Sequence, residues 1–411
     1  MKFKLTALEK KWVMYDVGNS AFTLLIATIM PIYFNYLAGH AGISDVNYLA
    51  YWGYATSAAT VIVAVLGPVL GTASDHKGAR KKIFTFFLIA GVIGCVVLGL
   101  MSSWVWFLVL FVFAKAAYSL SLVLYDSMLT DVTTEERMDE VSSQGFAWGY
   151  IGSCVPFVIS LLLVLFYDKI GISMRMAMCA AFIIIAAWWF GFTVPLLRSY
   201  RQTYYVESGD NTVSASFRRL AGVFGELKKN KKVLFFLIAF FFYIDGVYTI
   251  IDMATAYGTA LGLDTTGLLL ALLLTQVVAF PFALFFGRLS RKVKPSILIT
   301  VCVTAYLGIA LYGIGLDKQY EFWILAVCVG MFQGTVQAMS RSYYAKIIPA
   351  EKSGEYFGIY DICGKGASFA GTMIVSAVSQ ITGSVNLGVG ALSVMFILGL
   401  FFFRIAVKIE K

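Results

Sequence analysis

Charge is scarce in this 411-residue chain: Asp, Glu, Lys and Arg make up 13% of it, against 60% apolar residues, and the mean hydropathy is +0.81. Such values lie far outside the soluble range and leave no room for a large water-facing domain. Histidine is nearly missing. Only His40 and His76 occur, both in polar loops, so neither a histidine metal site nor a histidine proton relay is expected. The six cysteines (Cys95, Cys154, Cys179, Cys302, Cys328, Cys363) form no CxxC pair and read as small buried hydrophobes. A GxxxxGK[ST] loop is absent, which excludes an ATP-driven pump. Neither HExxH, a GxSxG elbow nor a paired-Asp motif is there to make an intramembrane enzyme, and no cofactor or metal is called for.

What the chain has instead is long apolar runs. Runs of about 20 residues or more read as membrane helices. They fall at 12–37, 47–73, 82–102, 104–129, 143–167 and 172–197, then at 232–257, 263–288, 295–316, 320–344, 354–379 and 385–407. The expected fold is an all-α membrane protein: twelve transmembrane helices in two pseudo-symmetric six-helix bundles, 1–197 and 232–411, joined by a linker at 198–231. In the linker Phe217, Leu220, Ala221, Phe224 and Leu227 recur at helical spacing beside Arg218, Arg219, Lys228 and Lys229, the pattern of an amphipathic helix lying on the membrane. The basic start (Lys2, Lys4, Lys10, Lys11) leads into an apolar stretch too long for a cleaved signal, so it stays as span one.

The net charge of +9 does not point to nucleic acid. Sorted by these spans, only Lys169, Arg175 and Lys318 stand on one side and Lys115, Arg341 and Lys365 lie within the membrane, with the other basic residues at or beyond the span ends on the second side. That asymmetry is the positive-inside rule, which puts both termini and the central loop in the cytoplasm of a protein of the cell membrane. The partners expected are the bilayer and a small-molecule substrate, possible protons among them, and the chain is read as a monomer.

Two internal repeats relate the halves. Met339 to Ala367 reads like a second copy of Tyr125 to Ser153: each ends an apolar helix, crosses a short polar loop with Glu, and opens a Gly-rich helix. Asp126 aligns with Arg341, so matching positions carry opposite charges, as a gate between two halves requires. The loop from Gly71 to Lys82 is echoed by Gly287 to Lys294, and Tyr15-Asp16 by Ile244-Asp245.

The first of these loops resembles the G-x3-D-x2-G-x-R-K signature of the major facilitator superfamily; in the second copy Arg291 stands where Asp is expected. Further strings resemble the vacuole effluxer-like branch. They are Trp12-Val13-Met14-Tyr15-Asp16 running into Gly18-Asn19-Ser20-Ala21-Phe22, Tyr125-Asp126-Ser127, Ser142-Ser143-Gln144-Gly145, Asp245-Gly246, and Gln337 to Ser342 with Phe357-Gly358-Ile359-Tyr360. The resemblance implies a polytopic solute transporter, and members of the branch are linked to amino-acid efflux from vacuoles.

Of the ionisable residues within the expected spans, eight stand out: Asp16, Lys115, Asp126, Asp245, Asp252, Arg341, Asp361 and Lys365. Each costs roughly 2.5–3.5 kcal/mol at a helix centre, so each should face a partner or a wet cavity. Asp126 and Arg341, near the inner helix ends, are expected to gate. Asp75 with Arg80 is expected to latch onto the positive start of span eleven. Asp361 is placed with the gate, a local i,i+4 pair with Lys365 being the alternative. Lys115, Asp245 and Lys365 lie near the midplane and suit a zwitterion or small anion. Asn19, Trp148, Tyr248, Gln333 and Gln337, with Tyr150, Tyr243 and Gln276, are further cavity candidates. Asp16 and Asp245 compete as proton-coupling residues, because desolvation raises a carboxyl's affinity for protons. Asp252 reads as hydrated near the outer side. Gly145, Gly149 and Gly152 mark a close helix contact in span five.

The function expected is secondary-active transport by alternating access, with amino acids or related zwitterions exported. Import, or movement of a lipid-like amphiphile, is the alternative on the same fold.

Overall fold

The computed structural model describes residues 3–43, 45–207, 225, 227–365 and 368–409. Among them, eleven helices are long and apolar enough to cross a membrane. We label the spans in chain order: α1 Ala7–His40, α2 Asp45–Ser74, α3 Ala79–Leu100, α4 Trp104–Ser127, α5 Met138–Leu165 and α6 Met174–Ser199. The second set is α7 Lys231–Ala260, α8 Thr265–Leu289, α9 Pro295–Tyr312, α10 Gln319–Ile347, α11 and α12 Val385–Lys408. Span eleven, expected as one run, is described as two pieces, Ser353–Lys365 and Ser368–Thr382, and completes the twelve. Most of the expected amphipathic linker helix, Phe217 to Phe224 included, lies outside the described residues.

Local sequence explains where helices start. Thr6 and Glu9 form a reciprocal capping box at the head of α1, and Asp264 accepts the Gly267 N–H at 2.7 Å to open α8. Gly78, at φ +69°, supplies the left-handed turn that ends the α2–α3 loop. Within α1, Leu25–Ile29 winds as a π-helical turn, two residues ahead of Pro31.

The two halves repeat one packing scheme. α1 lies against α5 and α6, α2 against α4, and α3 against α6; correspondingly α7 lies against α11 and α12, α8 against α10, and α9 against α12. Small residues set the closest approaches. A Cβ at Gly145 would collide with the Asp16 carboxylate, and one at Gly149 would come within 2.8 Å of Ser20 Oγ, so the glycine stripe of α5 seats α1. Between halves, α2 meets α11 and α5 meets α8, contacts that the pseudo-two-fold exchanges. The α2–α11 crossing is nearly backbone on backbone: Gly71 faces the Gly354 carbonyl, and a Cβ on Gly358 would stand 2.5 Å from Pro68 Cα.

Candidate transport pathway and its gate

At the end of the bundle that carries the chain termini, charges from both halves meet. Arg341 of α10 is 3% exposed. Its Nη1 donates to Asp126 Oδ1 on α4 at 2.9 Å, and its Nε to Ser142 Oγ on α5 at 2.9 Å. Nη2 donates to the Ser142 carbonyl at 3.1 Å and to Asp16 Oδ2 on α1 at 3.4 Å. The rings of Trp12 and Phe146 lie 4.6 and 4.4 Å from the guanidinium carbon, packing its apolar faces. Asp16 also accepts from Tyr125 Oη at 2.8 Å and from Asn19 Nδ2 at 3.3 Å. The aligned pair of opposite charges is thus in direct contact, and Asp16 belongs to the same network.

Two further ion pairs cross between halves: Lys346 Nζ to Asp139 Oδ2 at 2.6 Å, and Arg291 to Glu140. Arg291 stands where the repeated signature would carry an acid, and it reaches Glu140 in the first turn of α5 in the other half.

Asp75 sits 2% exposed at the α2–α3 loop. It accepts the backbone N–H groups of Gly354 at 2.8 Å and Glu355 at 2.9 Å, the first turn of α11. Arg80 bridges Asp75 at 2.6 Å and Asp131 at 2.7 Å. Burial pushes the Asp75 carboxyl up to about 6, against the opposing pull of Arg80 and the two N–H groups. Asp131 also accepts from Tyr200 Oη at 2.5 Å and from the N–H groups of Thr203 and Tyr204, both at 2.9 Å. The Val206 N–H donates to the Asp75 carbonyl at 2.8 Å, so the start of the linker straps the latch loop. The sequence offers no sign of this strap, because apart from Tyr200 Oη its bonds to Asp131 come from backbone N–H groups.

Toward the middle, the surroundings open. Asp252 of α7 is enclosed within the molecule yet exposed, and the charge that acts on it is Lys115 of α4, from the other half. Thr23, also exposed, shares a hydrogen bond of 2.6 Å with Tyr118 Oη, which reaches Asn19 Oδ1 at 3.4 Å. Tyr248 is half-buried here, and Asp361 acts electrostatically on both Tyr118 and Tyr248. Asp126 of the gate acts on the same two tyrosines, so Asp361 and the gate share these neighbours. Gln337 is half-buried beside Tyr150.

Several expectations are corrected. Asp245 does not line the cavity: it is fully buried, and its Oδ1 accepts the Gly371 N–H at 2.9 Å and Thr249 Oγ1 at 3.3 Å, because α11 lies against α7 at that level. Asp252, two turns further on the same face, is past that cover and takes the cavity position. Trp148 is 44% exposed and packs edge-on to Phe280 at the α5–α8 seam. Phe146 and Gly145 hold the inward faces of α5, which turns Trp148 outward. Tyr243 is buried against Ser340 at 2.6 Å, inside the second half. Gln333, 2% exposed, remains a candidate but lines a side cleft of that half rather than the central cavity. The Lys365 side chain lies outside the described residues.

Two six-helix bundles related by a pseudo-dyad, with paired charges between them and an open interior holding a cation and an acid from opposite halves, define a major facilitator transporter of small molecules, a multi-pass membrane protein. The chain belongs to the vacuole effluxer Atg22-like family, whose model matches residues 130–411. It is 39% identical over 405 residues to the MFS-type transporter YxiO of Bacillus subtilis, spanning 97% of this chain and 95% of that protein. With autophagy-related protein 22 of Coccidioides immitis it shares 23% over 435 residues, 86% of this chain and 72% of the relative. Among solved structures, the human organic anion transporter MFSD10 superposes with a TM-score of 0.70 at 13% identity, covering 97% and 98% of the two chains. The fucose:proton symporter FucP of E. coli gives 0.70 at 15%, covering 97% of each. At these identities the likeness is one of fold. YxiO, MFSD10 and FucP are each named as a transporter or symporter.

Proposed function

We propose that this protein exports small zwitterionic solutes, amino acids foremost, across the cell membrane by alternating access, with both termini in the cytoplasm. One observation carries the reading: Lys115 and Asp252, opposite charges from opposite halves, share an open interior while the termini face is sealed by the Arg341 network. A carboxylate would pair with Lys115 and an ammonium with Asp252, so a bound zwitterion bridges the halves and favours their rocking. The bundles 1–197 and 232–411 move as bodies, and the 198–231 linker spans them. A single chain supplies both walls of the path, so a monomer suffices. The family's description as effluxers supports the outward direction.

Proton coupling is assigned to Asp16. Its neighbours are Tyr125 and Asn19 as donors, Arg341 as the cation, and Asp126 as the competing acid. A proton on Asp16 removes one of the two negative charges that hold Arg341, which loosens the seal and links protonation to opening.

Counterflow of labelled amino acids in proteoliposomes, with and without an imposed pH gradient, tests both parts. Exchange of at least one neutral amino acid is expected. Asp16→Asn should keep exchange but lose gradient-driven accumulation by at least tenfold. Absence of exchange for every amino acid rejects the substrate class; accumulation by Asp16→Asn equal to the wild type rejects the coupling site.

A further inference from the structure

Beside the central path, the second half contains a small cleft of about 40 Å³ between α7, α8 and α10. Its walls are apolar: Ile250, Ile251, Leu272, Phe322, Leu325 and Val329 are typical of them. Two residues break that pattern. Gln276 of α8 and Gln333 of α10 both line it, and the buried Gln333 Nε2 has no hydrogen-bond partner in the protein. Thr275, the other polar lining residue, is already satisfied by the Ala271 and Ala326 carbonyls at 2.9 and 3.2 Å.

A buried donor without a partner is destabilising, and Gln333 is 2% exposed with its Nε2 unpaired. A hydrocarbon side chain at 333 would pack the apolar walls better and leave no donor stranded, so packing alone does not account for the buried glutamine there. The position ties the cleft to the transport path. Gln333 is one turn from Gln337, which stands beside Tyr150 of the first half, and Ile251 is the residue before Asp252.

We propose that this cleft is a specificity subsite in which Gln276 and Gln333 clamp a neutral hydrogen-bonding group of the substrate, a carboxamide, while the walls hold its methylenes. A carboxamide donates and accepts, and so does each glutamine, so one such group satisfies amides from two helices at once. A hydrocarbon of the same length would fill the space and leave the Gln333 Nε2 dry and unpaired. Sites built to hydrogen-bond a ligand discriminate strongly against analogues that lack the bond. The subsite rests on the zwitterion reading above, which supplies the charged end of the same substrate.

The test is competition between L-glutamine and L-norleucine, which share a zwitterionic head and differ at the end of the side chain, against labelled exchange by the full chain in proteoliposomes. Glutamine should compete at least about tenfold better than norleucine. The double variant Gln276→Leu with Gln333→Leu should reverse that order. Because the readout is a ratio within one preparation, loss of folded protein does not imitate the effect. Thermal stabilisation of the purified protein by each amino acid gives the same ratio without transport. Equal competition in the wild type, or a ratio unmoved by the double variant, overturns the subsite while leaving the zwitterion reading in place. Failure of every amino acid to bind or exchange removes both.

Discussion

Arg341 directs one guanidinium at three helices of the opposite half, with Asp16, Asp126 and Ser142 as acceptors. Removing one partner of a buried pair typically destabilises by about 3–5 kcal/mol, because the other charge stays behind. Here the loss falls on the closed state rather than on the fold of either bundle. Arg341→Asp and Asp126→Arg should each lower exchange at least tenfold. The two together should recover most of it, which counterflow rates measure; a double variant no better than the singles would show that the contact is not energetically coupled. This pair is legible in sequence because equal positions of a repeat carry opposite charges. The Lys115–Asp252 relation is not. Asp245 and Asp252 lie on one face of α7, and only the neighbour covering each level decides which is buried and which meets the cavity.

Among elements, the α2–α11 crossing is the tightest contact between halves. Gly354→Leu would place a side chain against Gly71, Ser74 and Asp75, where flexible atoms cannot all yield. Closure of the termini face should then fail: a cysteine placed near Arg341 would react with a membrane-impermeant reagent from that side at least tenfold faster than in the parent. Asp75 adds a pH dependence. Its carboxyl titrates at about 6 when latched, against an ordinary 3.8, so the latched form takes up a proton more readily than a form with Asp75 in water. Acidification from pH 6 to 4 should therefore favour the latched form, with no change above about pH 7. Asp75→Asn should flatten that profile in the same labelling assay. Loop signature and helix start both announce the latch in sequence. The strap from Tyr200 to Val206 does not show there: beyond the Tyr200 hydroxyl, Asp131 holds it through the N–H groups of Thr203 and Tyr204, which almost any residue provides.

At the scale of the whole molecule, cross-half ion pairs gather at the termini face while Thr23 and Asp252 remain exposed within. The interior should accordingly communicate with the opposite face. Thr23→Cys is expected to react with an impermeant thiol reagent from that face at least tenfold faster than from the termini face, and labelling of right-side-out against inverted vesicles measures the ratio. The duplicated architecture is readable from the repeats, because each copy must bury the same faces. Side-chain azimuth is not so readable: Trp148 looks like a cavity aromatic until the glycine stripe and Phe146 fix which way α5 is turned.

The π-helical winding at Leu25–Ile29 gives the first helix a knuckle. Below it, Ala7–Leu24 is clasped by the glycines of α5; above it, Met30–His40 begins beside a proline that lends no N–H to the ladder. The upper part is held in the first half by Met30, Tyr33 and Phe34, all fully buried, and by the Tyr33 hydroxyl donating to the Met101 carbonyl at 2.6 Å, while the lower part carries Asp16 to Arg341 of the other half. One rod thus serves two loyalties, its outer end to its own bundle and its inner end to the seam, and the knuckle is where they part.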